Sequence, residues 1–175
     1  MLKLFNISDG YTDYLGTEHR HVYSGKEHCR SHDRKYIGVV LTINKYNYYI
    51  PLSSPKDHDY WIKDGCQCIR PDSFIVWRIK DKGKLKASLH FEDMIPVPES
   101  EIELYNVAGE PDENYKILAL KEIEYIRKKE IKIIKRANIV YKNRVSDNDL
   151  PVYRNCLDYK ALERMHDIWV NNLTV

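Results

Sequence analysis

The sequence predicts an α+β fold, with strands through about the first two thirds of the chain and helices in the last third. Two observations carry this prediction. Two apolar runs flank a short polar turn within residues 36–52, and after residue 111 apolar residues recur at helical spacing. With 175 residues, 43% of them hydrophobic, the chain is expected to form one domain over residues 1–175 around a single core.

The chain begins with a predicted strand, Leu2–Ile7, followed by a helical turn that Ser8 caps. Tyr11 and Leu15 lie at helical spacing in that turn. From Gly16 to Arg34 the residues are mostly polar and show no apolar period. We expect a long loop there, and loops of this length are more often functional than structural.

A β-hairpin is the clearest local prediction. Ile37–Ile43 is a β-branched run, Asn44 and Lys45 form the turn, and Tyr46–Leu52 is the return strand. Two prolines near the end of the return strand lack the N–H group that a sheet ladder needs. The chain is therefore expected to leave the sheet near Ser53.

The remaining elements complete a mainly antiparallel sheet and add two helices. Three further strands are predicted, at Phe74–Ile79, at Leu85–Phe91 and, as an edge strand, at Glu101–Val107. Asp112 is a suitable N-cap for a long amphipathic helix that extends to about Asn143. Asp158 is a second N-cap, and it precedes a terminal helix with Leu162 and Trp169 on one face.

The charge distribution and the glycine content limit the classes of function that the chain can have. The formal net charge is only +2, from 28 basic and 26 acidic residues, so overall charge does not identify a nucleic-acid binder. Basic residues are concentrated in residues 33–86 and acidic residues in residues 92–113, a distribution that gives a local basic face. The 7 glycines are dispersed, and the absence of a P-loop motif excludes nucleotide hydrolysis of that type.

The chain also lacks the marks of a membrane or secreted protein. It has neither an apolar run long enough to span a bilayer nor the pattern of a signal peptide. Four unevenly spaced cysteines favour reduced thiols over a disulfide framework. We therefore expect a soluble, cytoplasmic protein without a membrane partner.

Two metal-dependent alternatives have weaker support. A two-metal nuclease needs several carboxylates that converge on one site, and the acidic residues here are scattered. A zinc-stabilised interaction protein stays open as an alternative, although the spacing of the available ligands matches no common structural zinc pattern. Those ligands are His19, His21, His28, Cys29, His32, Cys66 and Cys68.

Ser53, Ser54 and Lys56 follow the hairpin and offer two hydroxyls and an ammonium group to a phosphate. RNA cleavage without a metal needs a base for the ribose 2′-OH, an acid for the 5′-oxygen and fixed donors around the phosphate. Arg34, just before the partner strand, is a further donor. These residue types also fit a non-catalytic single-strand RNA-binding module, in which aromatic rings stack on bases and basic residues follow the backbone.

Three segments in order carry a resemblance to a known family: YIGVVLTI at residues 36–43, YYIPLSSPK at residues 48–56 and FEDMIPVP at residues 91–98. The opening LKLFNIS, the long helix after Pro111 and the segment around Cys156 and Leu162 also fit. Over most of its length the chain resembles the ToxN/AbiQ family of type III toxin–antitoxin endoribonucleases.

The resemblance implies a compact, strongly twisted sheet similar to that of the MazF/Kid toxins. It implies a metal-independent RNase of the bacterial cytoplasm, without a cofactor, that leaves a 2′,3′-cyclic phosphate and a 5′-hydroxyl. The implied substrates are cellular and phage mRNA and the toxin's own repeat RNA, in an abortive-infection defence. The implied partner is an antitoxin RNA pseudoknot, which occludes the site and joins the protein in a closed protein–RNA hetero-oligomer.

The resemblance also assigns residues. The family's [ST]SPK element falls on Ser53, Ser54, Pro55 and Lys56, so that Ser54 would bind or orient the scissile phosphate and Lys56 would stabilise its developing charge. Arg34 matches the basic residue that family members carry before the YIG strand.

The chain departs from the family at two positions. A tyrosine that some members place in the loop before the YIG strand has no match here, which leaves His32 or His28 as the candidate general base, and His90 stands where members often carry Asn. The expected catalytic residues are Ser54, Lys56, Ser53, Arg34, His32 and His90. The expected RNA contacts are Lys26, His28, Arg30, Lys35, Tyr36, Lys63, Arg78, Lys80, Lys82 and Lys84.

Overall fold

The computed structural model of the chain describes residues 1–19, 22, 34–146 and 150–173. The strands are β1 (Lys3–Ile7), β2 (Tyr36–Ile43), β3 (Tyr46–Ser53), β4 (Tyr60–Lys63), β5 (Cys66–Ile69), β6 (Val76–Asp81), β7 (Lys84–His90), β8 (Ile95–Pro96) and β9 (Ile102–Leu104). The helices are α1 (Asp9–Gly16), α2 (Glu113–Val145) and α3 (Tyr159–Leu173). The predicted α+β class is confirmed.

The main sheet is open and antiparallel, with strand order β6-β7-β3-β2-β1-β9. Strand β3 has two partners along one edge. Its Tyr48 and Tyr49 pair with β8, whereas Leu52 and Ser53 pair with β7. This change of partner brings β7 beside the end of the β2–β3 hairpin, where the phosphate-binding residues were expected.

The β2–β3 hairpin forms as predicted. Its turn residue Asn44 has a φ of 54°, a left-handed conformation that Asn tolerates better than most residues. Within the hairpin, Gly38 leaves room for a buried ring, because a Cβ atom at that position would lie 2.1 Å from a ring carbon of Tyr49. A side chain at Gly38 would displace Tyr49, which is only 1% exposed.

A second hairpin, β4–β5, was not predicted. It forms a separate two-stranded sheet in which Trp61 pairs with Cys68 and Lys63 with Cys66. Its turn residues Asp64 and Gly65 have φ values of 51° and 75°, as a two-residue type I′ turn requires. An Asp-Gly pair between two short runs is the sequence signal that identifies this hairpin.

Helix α2 covers one face of the sheet. It has 33 residues, a length of about 50 Å, and the carboxylate of its N-cap Asp112 accepts the N–H groups of Asn114 and Tyr115. The Trp77 indole donates to the Tyr125 hydroxyl over 3.1 Å. The predicted helix and its cap are both confirmed, and the helix extends two residues beyond the predicted end.

A buried carboxylate joins the two long helices to the sheet. The hydroxyls of Tyr48 and Tyr141 donate to Glu163 Oε1 over 2.9 and 2.6 Å, and Lys160 donates to the other oxygen over 2.8 Å. Burial, reinforced by the charge of Glu163, raises the pKa of the Tyr48 hydroxyl. Tyr48 therefore remains a hydrogen-bond donor that fixes α3 against β3.

Within the residues described, no helix is both long enough and apolar enough to cross a membrane.

Candidate active site

The end of the β2–β3 hairpin brings Arg34 and Ser53 into one row of the sheet. The Leu52 N–H group donates to the Lys35 carbonyl over 2.8 Å. Tyr36 pairs with Pro51, so continuing this antiparallel register past the first residue of β2 places Arg34 opposite Ser53. Both residues are buried, with 8% and 7% of their surface exposed.

The row continues through β7 to β6. Ser53 pairs with Ser88, and Ser88 pairs with Arg78. Directly paired residues of an antiparallel sheet place their side chains on the same face. The Ser53 and Ser88 hydroxyls and the Arg78 guanidinium therefore lie on the face opposite the Leu52 and Leu89 side chains of the core.

Immediately after Ser53 the chain forms an exposed turn that carries Ser54 and Lys56. The turn is closed by Asp59, whose carboxylate accepts the Lys56 N–H group over 3.0 Å and whose own N–H group donates to the Lys56 carbonyl over 2.9 Å. The backbone that carries the Lys56 ammonium group is thus held at two points while its side chain faces solvent.

The Asp59 carboxylate is itself fixed by side chains of β6 and β7. Its Oδ1 atom accepts Nε and Nη2 of Arg78, both over 3.1 Å, and the Ser88 hydroxyl over 3.3 Å. Asp59 is 1% exposed and Arg78 is 7% exposed. The assignment of Arg78 as an RNA contact is therefore corrected: its guanidinium is occupied by a buried ion pair that anchors the Lys56 turn.

Two other expected RNA contacts are buried as well. The Lys35 ammonium group donates to the Asn6 side chain over 2.9 Å and lies 4.1 Å from the centre of the Tyr105 ring, so it serves the packing of β1 against β2. Tyr36 is 4% exposed and lines a cavity of about 320 Å³ together with Arg34. Neither residue belongs to the outer surface that was expected to follow an RNA backbone.

His90 lies on the same face of β7 as Ser88, two residues or about 7 Å further along the strand. Its side chain is 16% exposed, and its Nδ1 atom lies 3.1 Å from Glu92 Oε1. With Nδ1 engaged, Nε2 is the nitrogen left for a ligand. His90, Glu92 and Asp93 also offer three possible metal-ligating atoms within 4.8 Å of one another.

The remaining basic candidates are exposed but lie in two separate places. Lys63 is at the end of β4 next to the β4–β5 turn, and Lys80, Lys82 and Lys84 surround the β6–β7 turn. The expected contacts Lys26, His28 and Arg30 and the candidate base His32 lie outside the described residues, as do most of the zinc ligands considered above. The structure therefore places Ser53 and Ser88 in one row, His90 on the same face of β7, and Ser54 and Lys56 in the exposed turn that follows Ser53.

Sequence reasoning missed Asp59, Ser88 and Glu92. Asp59 is 19 residues from Arg78 and 29 residues from Ser88 along the chain, so no local spacing reveals their contact. Its sequence signal is weak, since an Asp three residues after a turn lysine is also common on an exposed surface.

Comparison with solved structures identifies the class of fold. The chain matches AbiQ, a lactococcal anti-phage endoribonuclease of a type III toxin–antitoxin system, with a TM-score of 0.74, 25% identity and coverage of 98% of this chain and 99% of the other. It matches a structure from a type III system in which a non-coding RNA pseudoknot selectively inhibits the toxin, with a TM-score of 0.80, 25% identity and coverage of 96% and 97%.

Sequence comparison gives the family. Residues 3–167 match the family described as "Toxin ToxN, type III toxin-antitoxin system". Endoribonuclease AbiQ of Lactococcus lactis subsp. lactis is 31% identical over 166 residues, which cover 93% of this chain and 86% of AbiQ. Endoribonuclease ToxN of Pectobacterium atrosepticum is 26% identical over 140 residues, or 78% of each chain. The protein belongs to the ToxN family of type III toxin–antitoxin systems.

Proposed function

We propose that this protein is an endoribonuclease that acts as the toxin of a type III toxin–antitoxin system. The observation that carries the proposal is the Ser54–Lys56 turn, which Asp59 anchors beside the row that contains Arg34 and Ser53. Family membership and the endoribonuclease relatives support the same activity.

In the proposed reaction the ribose 2′-oxygen attacks the adjacent phosphorus while the bond from phosphorus to the 5′-oxygen breaks. The products are a 2′,3′-cyclic phosphate and a 5′-hydroxyl, and no metal takes part. Ser54 and Lys56 donate hydrogen bonds to the non-bridging oxygens, which carry more negative charge in the transition state than in the substrate. Arg34 adds positive charge from the opposite strand.

Two proton transfers complete the step. A base removes the 2′-OH proton, and His32 is our candidate for it. An acid protonates the leaving 5′-oxygen, and we assign this to His90 through Nε2, because Glu92 holds Nδ1 and fixes the orientation of the ring.

We further propose that the substrates are cellular and phage mRNA and the toxin's own repeat RNA, which places the activity in the bacterial cytoplasm. An antitoxin RNA pseudoknot would cover the Ser54–Lys56 turn and join the protein in a closed protein–RNA assembly. The sheet is proposed to share the architecture of the MazF/Kid toxins.

The test replaces Ser54 or Lys56 with Ala and measures RNA cleavage in EDTA. Loss of one phosphate donor should reduce the rate on the order of a hundredfold or more. Lys3→Ala, which removes an exposed lysine of β1, is the matched control and should cleave as the parent does. The site assignment fails if both variants keep the parental rate. Salt-sensitive RNA binding by the parent without cyclic-phosphate products would instead support a non-catalytic RNA-binding module.

A further inference from the structure

A lysine-rich cavity of about 290 Å³ lies between the β6–β7 hairpin and helix α2. It is at the turn end of the hairpin, and its β7 residue Lys86 lines it on the side of α2, whereas Ser88, two residues further along, pairs with Arg78 on the opposite face of the sheet. It is therefore separate from the proposed cleavage site. Five lysines line it: Lys80, Lys82, Lys86, Lys121 and Lys128.

A β-bulge directs one of these lysines into the cavity. Ile79 pairs with Ala87, whereas Lys80 pairs with Leu85, so Lys86 is an extra residue on β7 with no partner on β6. Bulges of this kind change the direction of a side chain and are frequent next to functional sites. Lys86 is half-buried and lines the cavity on the side of α2, although it lies on the strand that also carries Ser88.

The cavity carries an excess of positive charge. Lys128 pairs with Glu124 over 2.6 Å and Lys121 with Asp81 over 3.5 Å. In the part of the chain that the structure describes, no carboxylate lies within ion-pair distance of Lys80, Lys82 or Lys86.

The remaining acidic group of the cavity is Glu122, which is 6% exposed. Burial raises the pKa of this carboxyl to about 8, an effect that the charge of Lys86 partly opposes. Near neutral pH Glu122 is thus mostly uncharged. Five ammonium groups then face two ionised carboxylates, those of Asp81 and Glu124.

We propose that this cavity is a second RNA site, in which the lysines bind a backbone phosphate outside the cleavage site. Lysine ammonium groups suit this ligand because they act as mobile point charges that displace the counterions of a phosphate. The inference rests on the proposed function only in its choice of RNA as the anion. An RNA that occupies both places would be held by two separate sets of contacts, one at the Ser54–Lys56 turn and one at the cavity.

The test compares two neutralised strand lysines. Lys86→Gln removes a cavity lysine of β7, whereas Lys3→Gln removes an exposed lysine of β1 that does not line the cavity. The probe is a fluorescent 30-nucleotide RNA with 2′-O-methyl groups, which cannot be cleaved by 2′-OH attack, titrated by anisotropy at several salt concentrations. Lys86→Gln should weaken binding about tenfold and lower the salt slope by about 1, with less than a twofold change in Lys3→Gln.

Three outcomes decide whether the cavity is a second RNA site. Equal losses in both variants would overturn the inference, because they would show only a general effect of charge. Loss of inorganic phosphate binding in Lys86→Gln, with RNA binding intact, would overturn it in favour of a small-anion site. An unchanged rate of cleavage of a four-nucleotide substrate by Lys86→Gln would support a site separate from catalysis. Absence of cleavage by the parent would refute the proposed function without affecting the binding comparison.

The pH dependence provides a second, independent variant. Ionisation of Glu122 above about pH 8 places a negative charge beside the bound phosphate, so RNA affinity of the parent should fall between pH 7 and pH 9. Glu122→Gln cannot ionise and should keep its affinity over that range. The charged and titratable groups that line the cavity with Glu122 are Lys80 and Asp81 from β6, Lys82 from the turn, Lys86 from β7, and Lys121, Glu124, Tyr125 and Lys128 from α2; Tyr105, which follows β9, also interacts with Glu122. If RNA affinity changes with pH in the same way in the parent and in Glu122→Gln, the proposed RNA site is contradicted.

Discussion

Glu122→Gln should stabilise the folded protein, and the gain should grow with pH. The carboxyl group lies on the buried face of α2, where its charged form is poorly solvated, so that its pKa rises from 4.5 to about 8. Between these two values the folded protein keeps a proton that the unfolded chain has released. The contribution of Glu122 to the free energy of unfolding is therefore complete below pH 4.5 and is lost as the pH rises towards 8.

The size of the effect follows from the two pKa values. Each pKa unit between folded and unfolded states corresponds to about 1.4 kcal/mol, so the interval from 4.5 to about 8 corresponds to about 5 kcal/mol in total. Gln has nearly the same shape as Glu and carries no charge at any pH. The difference in stability between variant and parent should be small at pH 4.5 and should reach several kcal/mol at pH 8.5.

Urea unfolding at half-unit steps from pH 4.5 to 8.5 measures this difference directly. Glu124→Gln is the matched control, since Glu124 is exposed two residues away on the same helix and pairs with Lys128. The control should follow the parent across this range. If the free energies of unfolding of Glu122→Gln and the parent change in parallel from pH 5 to pH 8, Glu122 is not a buried, protonated carboxyl.

Two further substitutions test the packing around the proposed site. Asp59→Ala should lower the free energy of unfolding by about 3–5 kcal/mol, because it leaves the buried guanidinium of Arg78 without a counter-charge. A loss below about 1 kcal/mol in urea unfolding would contradict the buried ion pair. Gly38→Ala should cost about 1–3 kcal/mol or more, because the added methyl group overlaps the Tyr49 ring. Gly10→Ala, where the new atom would meet only an ordinary 4.0 Å contact, should be neutral or stabilising in thermal unfolding, and equal effects at both glycines would refute the packing argument.

The elements that sequence analysis located correctly are those fixed by neighbours along the chain. Asn44 can adopt the left-handed turn that closes the β2–β3 hairpin, and Asp112 satisfies the free N–H groups at the start of α2. Both signals are local, because a turn or a helix cap involves residues within three or four positions. The β4–β5 hairpin, which was not predicted, carries the same kind of local signal in Asp64 and Gly65.

The environments of charged residues were harder to predict, since a sequence gives the charge of a residue but not its burial. Arg78 and Lys35 were expected on an RNA-binding surface, yet one is paired with Asp59 and the other with Asn6 inside the protein. No sequence-based prediction separated Glu122 from Glu124, two acidic residues of α2. Only Glu124 forms an exposed ion pair with the residue four positions later, while Glu122 faces the lysine-rich cavity.

By itself the sequence determined the α+β class, the hairpin that ends at Ser53, the caps of the helices and the resemblance to a toxin family. Tertiary structure alone decided that β3 changes partner and pairs Ser53 with Ser88, that Asp59 anchors the Lys56 turn, and that a bulge directs Lys86 towards α2. The physical reason is that local conformation depends on adjacent residues. Burial and charge pairing depend instead on distant segments of the chain, which come together only when the sheet and the helix pack.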